Sequence, residues 1–436
     1  MHRMRFSFSL FAFLFGVITP FYSSSCSSQH NNDNEYDCNI DRSYDGSDWQ
    51  GLYGKFNDTD YEICSDKIIY KHTSGINKAI DLVIPNYVFY KNTKLSVYLS
   101  DNLFYGFDIS GSIYLNKFMT DIPSHIFENC FNMEKVFLFN KIINVGERSF
   151  YGCLSLKTIE FSKYSEYWYL QSEEIFKFIE TISDHAFYNV ALEIDIFFEN
   201  FNSIGSAAFD NCTRIKSVNF LNNCLTDQNN LKDECFSNCW NIRSVTLNNN
   251  IDTVGKNCFI GCYNLKELKW HINSFKKEIK INESAFANCR SLERITSDLG
   301  VFSPSYIGKK AFDSDMNFYI NWKLDNFFAC TKYIGEYAFS SCKKVASIKF
   351  HLYENLVICS YAFYQCLELT EIDFSDFGSY EPWWEGQVCI FNNICNYGTF
   401  YVSEQIDPTL WLDFFDMQTN INLDNWIFLS IQENYW

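Results

Sequence analysis

Positive charge is scarce in this chain: 35 Lys and Arg stand against 53 Asp and Glu among 436 residues, a net charge of −18 at pH 7. The deficit argues against a nucleic-acid binder, which needs a basic face for phosphate. It fits a soluble extracellular protein that favours basic patches on a partner. Long apolar runs are also missing beyond Ile18. Near the C-terminus only Trp426 to Ile431 is almost continuously apolar, flanked by Asp424 and Glu433, which is too short for a membrane span or a glycolipid-anchor tail. Helical patterns long enough for a doubly wound fold are absent. So are a glycine-rich phosphate loop, a G-x-S-x-G elbow and an H-E-x-x-H pair. The carboxylate pair Glu173/Glu174 falls in an irregular stretch and reads as a solvated loop. Histidines are few and scattered: His30 and His72 lie early, His125 and His185 lie far apart, and His271 and His351 stand alone. No nucleophile, base and orienter can be grouped from these residues. The chain is therefore expected not to be an enzyme, and no cofactor or metal is expected.

The start of the chain has the order of a secretory leader. "MHRMR" is basic, Phe6 to Ile18 is apolar, and small residues follow from Ser23, so residues 1–25 are expected to be removed. Loss of Arg3 and Arg5 then takes the net charge from −18 to −20. A lipid-modified Cys26 is the alternative, although Ser23 stands where a bacterial lipobox wants an apolar residue.

What the chain has in abundance is repetition. "VGERSFYGCLSLKTIEF", Val145 to Phe161, returns as "IGSAAFDNCTRIKSVNF", Ile204 to Phe220, and as "IGEYAFSSCKKVASIKF", Ile334 to Phe350. Counted from the opening apolar residue, Phe stands five later, Cys eight later, an aliphatic eleven later, Ile or Val fourteen later and a large apolar residue sixteen later. Eight units keep both anchors: Phe127/Cys130, Phe150/Cys153, Phe209/Cys212, Phe236/Cys239, Phe259/Cys262, Phe286/Cys289, Phe339/Cys342 and Phe363/Cys366. Two are degraded, with Val190 in the Cys slot after Phe187 and Asp315 in the Cys slot after Phe312. An eleventh fits at Phe104, where Leu99, Phe107, Ile113 and Leu115 fall in register.

The end of each unit alternates apolar and polar, as at Ile159 and Phe161, which is the period of a half-buried strand. Upstream, Ser149, Phe150 and Cys153 are spaced for one turn of α- or 3₁₀-helix. One such unit cannot bury its own apolar row, whereas stacked units can. The expected fold is a leucine-rich-repeat solenoid of about 10–11 repeats, a parallel sheet of short strands joined by short helical turns.

The Ile-Gly-x-x-Ala-Phe-x-x-Cys-x-x-Leu-x-x-Ile phrase resembles the BspA-type leucine-rich repeat of secreted and surface proteins from bacteria and some mucosal protists. The resemblance covers about Leu95 to Phe374. It implies a curved solenoid used for surface attachment and partner binding, without catalysis. Local departures are the missing Gly at Pro123, Ser183, Lys232, Asn282 and Cys359, and the Cys235 and Cys258 that fill the Ala slot. The domain reading is a leader at 1–25, an N-terminal cap region at 26–94, a solenoid at 95–374 with an insertion at 164–180, and a C-terminal cap at 375–436.

Eighteen cysteines in a secreted chain first suggest disulfides. Eight of them share one slot of the repeat, however, and a buried ladder of thiols pointing the same way is the expected reading. If ladder rungs are bridged, Cys235 with Cys258 is a candidate pair, alongside Cys239 with Cys262. The "CFSNC" and "CFIGC" spacings could suggest a metal site, but core slots already account for them and no nearby His completes four ligands. Outside the array, Cys38, Cys64, Cys389 and Cys395 are disulfide candidates; a Cys38–Cys64 bridge would contribute roughly 3.5 kcal/mol in the chain-entropy model.

A binding surface is expected on the polar strand positions: Thr158 and Glu160, Ser217 and Asn219, Ser244 and Thr246, Glu267 and Lys269, Arg294 and Thr296, Ser347 and Lys349, Glu371 and Asp373. Small hydroxyls and mixed charges suit an extended extracellular protein or glycan better than a small-molecule pocket. The second candidate is the insertion, whose Tyr164, Tyr167, Trp168 and Tyr169 form a cluster of the kind enriched at binding hot spots. Self-packing of that cluster against the solenoid edge is the other reading. Sequons at Asn57, Asn211 and Asn282 are candidate glycosylation sites. The expected function is non-catalytic adhesion or recognition, with a self-associating matrix component as the alternative.

Overall fold

The computed structural model describes chiefly residues 81–90, 93–221, 230–272, 278–300, 302–321, 327–351, 356–377, 389–403 and 405–418, with short strands at 39–40, 61–64, 67–70, 78–79 and 426–430. The leader at 1–25, Cys38 and Asn57 lie outside the described residues, and Cys64 ends the strand Tyr61–Cys64.

The architecture is a stack of parallel-stranded coils, about 12 turns with little helix. Each coil contributes two strands. A two-residue strand opens it, as at Asn144–Val145, and a longer one closes it, as at Thr158–Phe161. In most closing strands every second residue is buried, so Ile159 and Phe161 point inward while Thr158 and Glu160 point out. Successive strands pair in parallel and in register, Lys135–Leu138 on Thr158–Phe161 and Ser217–Phe220 on Ser244–Leu247.

Between the two strands the chain makes a run of i→i+3 turns, with Glu128 N donating to His125 O at 3.3 Å and Cys130 N to Phe127 O at 3.1 Å. The run never lengthens into a helix because two residues per coil hold positive φ. These are His125 and Asn129 in one coil, Asn257 and Gly261 in another. The second of them is usually Asn or Gly, the residues for which left-handed backbone costs least. Peptide groups of this segment bond to the neighbouring coil, Phe127 N to Ser149 O at 2.9 Å and Asn129 N to Tyr151 O at 2.7 Å, which satisfies a buried backbone without a helix. The repeated Gly marks the closest approach of two coils: a Cβ on Gly146 would stand 2.6 Å from Ser124 N.

Contacts divide the chain into two compact units, residues 1–175 with 189–192, and residues 176–188 with 193–436. In the first, Leu82–Val83, Ser112–Tyr114, Lys135–Leu138 and Thr158–Phe161 form one parallel sheet. Ahead of it, Tyr61–Cys64, Lys67–Tyr70, Tyr87–Tyr90 and Thr93–Leu99 form a mixed sheet whose core is Ile68, Leu95 and Val97. The second unit carries a five-stranded sheet from Asp195–Phe198 to Arg294–Ser297, and another from Ile320–Asn321 to Trp426–Ser430.

The core is a column of phenylalanines. Phe209, Phe236, Phe259, Phe286, Phe312, Phe339 and Phe363 stack face to face with centroids 5.2 to 5.6 Å apart. Beside it runs the cysteine column. All eight repeat cysteines aim Sγ at the carbonyl of the Phe one coil back, from Cys130 on Phe104 O at 3.2 Å to Cys366 on Phe339 O at 3.2 Å. Cys fits because it is small, apolar and carries a weak donor. The column outruns the repeat phrase: Phe391 stacks on Phe363 at 5.5 Å, and Cys389 and Asn393 take the two positive-φ positions. The helix Pro408–Asp416, capped by Asp407 accepting from Thr409 N at 2.8 Å, lays Trp411 against Phe374 and Phe415 against Phe400.

Candidate functional site

Chemistry that would suggest a catalytic centre resolves into structure. His125 Nδ1 lies 2.6 Å from Glu128, and Arg148 from the next coil donates Nε to the same carboxylate at 3.0 Å. Burial works against the charge of Glu128, yet the hydrogen bonds from Arg148 and His125 hold its carboxyl below the usual range. This trio pins one turn to the next. The ladder thiols are deeply buried, and burial pushes Cys130 up to about 12. Among the described residues no group of three or more His, Cys, Asp or Glu is arranged to hold a metal ion. No helix among them is long and apolar enough to cross a membrane.

The outward strand positions are of three kinds. Glu267, Lys269, Arg294 and Thr296 are exposed. Thr158, Glu160, Ser217, Asn219, Ser244 and Thr246 are half-buried, with Ser217 donating to Asp195 at 2.6 Å and Asn219 to Ser217 at 3.1 Å. Ser347 and Asp373, expected on this face, are instead 4 % and 1 % exposed. The reason is local: Ser347 bonds Asn321 at 3.1 Å next to a register shift, Lys323 reaches across to Glu371 at 2.7 Å, and Lys349 sits between Asp373 and Asp376. The face is closed by its own ion pairs there and open earlier.

In the first unit the same face carries rings that the polar reading passed over. Tyr114 and Phe137 pair in register on adjacent strands and stack at 4.6 Å and 15°. Their slot is that of Glu160, so the alignment of the repeat contained the signal. Burial raises the Tyr114 phenol, and Asp81, Tyr164 and Glu160 add to it.

The insertion itself divides. Tyr167 packs on Phe161 at 5.4 Å with Lys141 above it at 4.7 Å, and Ser165 Oγ anchors the chain on Phe139 O at 3.0 Å. Trp168 and Tyr169 point away, 65 % and 61 % exposed, edge to face at 6.4 Å. Beyond them the 3₁₀ turn Ser172–Lys177 buries Ile175 and Phe176, the latter against Phe187 and Phe198. Tyr167 is thus packed on its own unit, whereas Trp168 and Tyr169 are exposed.

Among the remaining site residues, Asn211 and Asn282 are half-exposed, and Asn211 has positive φ. The fourteen described cysteines form no disulfide with one another: Cys395 is half-exposed, and Cys389 is buried with Sγ 4.0 Å from Met417 O.

A sequence profile described as the BspA type Leucine rich repeat region matches residues 82–177, 180–319 and 305–382, in six copies. The chain belongs to this family. The BspA-type repeat accounts for the phrase and its anchors together, and with them for a repeat architecture in which the columns above are built coil by coil. Among solved structures, a leucine rich cell surface protein from Faecalibacterium prausnitzii is 15 % identical, covering 90 % of this chain and 98 % of that one at a TM-score of 0.47. A leucine-rich repeat protein from Bacteroides ovatus is 18 % identical, covering 85 % and 98 %, at 0.45. The Pneumococcal vaccine antigen PcpA is 14 % identical, covering 85 % and 97 %, at 0.35. No curated protein matches the chain.

Proposed function

We propose that this BspA-type protein is a secreted or surface-associated, non-catalytic recognition protein that binds an extracellular partner through the strand face of its first unit and the adjoining insertion. The observation that carries the reading is the exposure of Trp168 and Tyr169 beside Tyr167, which is packed and holds them in place. Large rigid rings left in water are costly for a monomer and are the side chains that dominate binding energy when a partner covers them. Glu160 pairs with Phe137 across adjacent strands, and Asp81 accepts from Ser112 N at 2.6 Å, two residues before Tyr114. Rings flanked by carboxylates favour a partner protein presenting Lys or Arg over an uncharged glycan. The removal of residues 1–25, the cap regions at 26–94 and 375–436, and glycans at Asn57, Asn211 or Asn282 belong to the same proposal.

The test is capture on immobilised extracellular matrix proteins and on a glycan array, with Trp168→Ala/Tyr169→Ala as the probe. A drop in affinity of roughly 30-fold at unchanged melting temperature is expected for a hot-spot pair. Binding unaffected by the double substitution, or binding to glycans alone, would overturn the reading.

A self-associating component is favoured by a separate observation. Trp426–Ser430 is the last strand of its sheet among the described residues, and Ile427, Phe428 and Leu429 are exposed on it. Light scattering of the full chain checks this: a concentration-dependent rise in mass that Phe428→Lys abolishes would support it.

A further inference from the structure

The Ala slot of the repeat holds Ala186, Ala208, Ala285, Ala311, Ala338 and Ala362, all completely or almost completely buried. Other coils place Leu103, Ile126, Ser149 and Ile390 there, and two consecutive coils place Cys there: Cys235 and Cys258. Unlike the ladder cysteines, which aim Sγ at a carbonyl one coil back, these two aim at each other, with Sγ atoms 3.2 Å apart. Their backbones are held by the same inter-coil ladder, Phe236 N donating to Cys258 O at 2.9 Å. Stacked strands approach within roughly 4.8 Å, inside the Cα separation that a disulfide spans. The two sulfurs thus meet in one slot of adjacent coils, where every neighbouring ladder thiol instead faces a carbonyl.

We infer that Cys235 and Cys258 are a structural disulfide pair that staples the two coils together when the chain folds in an oxidising compartment. The oxidant is a low-molecular-weight disulfide. One cysteine thiolate attacks it, releasing one small thiol and forming a mixed disulfide; the second cysteine thiolate then displaces the other small thiol as the Cys–Cys bond closes. Two thiol protons and two electrons leave the protein, and the oxidant departs as two thiols. Both side chains are fully buried once folded, and burial raises the Cys258 thiol well above its usual range. The bond therefore forms while the coils are assembling, and it resists reductant in the finished core. The flanking ladder thiols, Cys239 and Cys262, point to Phe209 O and Phe236 O and are not competing partners.

The full chain, refolded in a glutathione redox buffer and acid-trapped, should yield a Cys235–Cys258 linked peptide on non-reducing mass mapping. Refolding with dithiothreitol instead should lower the melting temperature by roughly 5–10 °C. Cys235→Ala and Cys258→Ala, which restore the residue native to the slot, should fold and should lose that dependence on reductant. Quantitative alkylation of both cysteines after unfolding of the oxidised sample overturns the inference, as does a linked peptide joining either one to Cys239 or Cys262.

Discussion

The closing strands have two sides that obey different rules, although their residues alternate along one backbone. Inward, Val218, Phe220, Val245, Leu247, Leu268 and Trp270 are all apolar and all buried. Outward, the partners of those residues run through Ser, Asn, Thr, Glu and Lys in no fixed order. The inward side is redundant, because each coil must offer its neighbour the same shape or the stack loses a contact. The outward side meets water or a partner and is free to differ from coil to coil. Fold information is therefore spread evenly over the chain, whereas the outward residues and the insertion are where the pattern is broken.

The comparison is broken most severely from the inside. Phe236→Ala empties the middle of the Phe column, between Phe209 at 5.2 Å and Phe259 at 5.5 Å. Denaturant unfolding should show a loss of about 3–5 kcal/mol; a loss below about 1 kcal/mol would mean that neighbouring coils do not share one core.

Asp315 sharpens the comparison, since it is an outward type of residue in an inward place. It fills the Cys slot fully buried, with only the Cys289 backbone as a weak partner for its carboxylate. Burial pushes its carboxyl well above the usual carboxylate range; the Cys289 backbone opposes the push and Asp313 adds to it, while the thiols of Cys289 and Cys342 face it from the adjacent coils. Folded chain thus keeps a proton that unfolded chain releases near its ordinary value of about 3.9. The destabilisation is absent below that pH and grows as pH rises toward the folded value. Asp315→Cys, which returns the donor aimed at Phe286 O, should stabilise by about 1–3 kcal/mol at pH 7, with the gain shrinking toward pH 4. A gain that does not vary between pH 4 and pH 7 would show that the carboxyl does not titrate with folding.

The smallest effect is expected outside. Lys266 and Glu293 pair at 3.4 Å with both side chains more than half exposed. Lys266→Ala should change stability by less than about 0.5 kcal/mol, and less still in high salt; a larger loss on thermal unfolding would make the outward ion pairs part of the framework.

How much was legible follows the same division. The Phe and Cys slots at Phe127/Cys130 through Phe363/Cys366 could be aligned by eye, and the sheet strands lie where the alternation at Ile159 and Phe161 put them. The paired left-handed residues were written as Asn129, Asn238 and Gly261 but were hidden by the first position of each pair, which tolerates His125, Arg148 or Tyr337. The coil at Phe391 escaped notice because its opening and its Cys slot lack the phrase, while its backbone keeps the turn. Ser347 is buried against Asn321 of another coil, and Asp373 is held by Lys349, which a linear pattern does not show.

The sequence by itself determined the coil, its period and the identity of each core column, because those follow from which side chains can be buried in a repeating stack. Tertiary structure alone decided which cysteines face a carbonyl and which face each other, where the outward face is closed by ion pairs, and that Trp168 and Tyr169 stand free while Tyr167 is packed. Those outcomes depend on distances between residues of different coils, and a linear pattern fixes the order of side chains along a coil but not the gap across to the next.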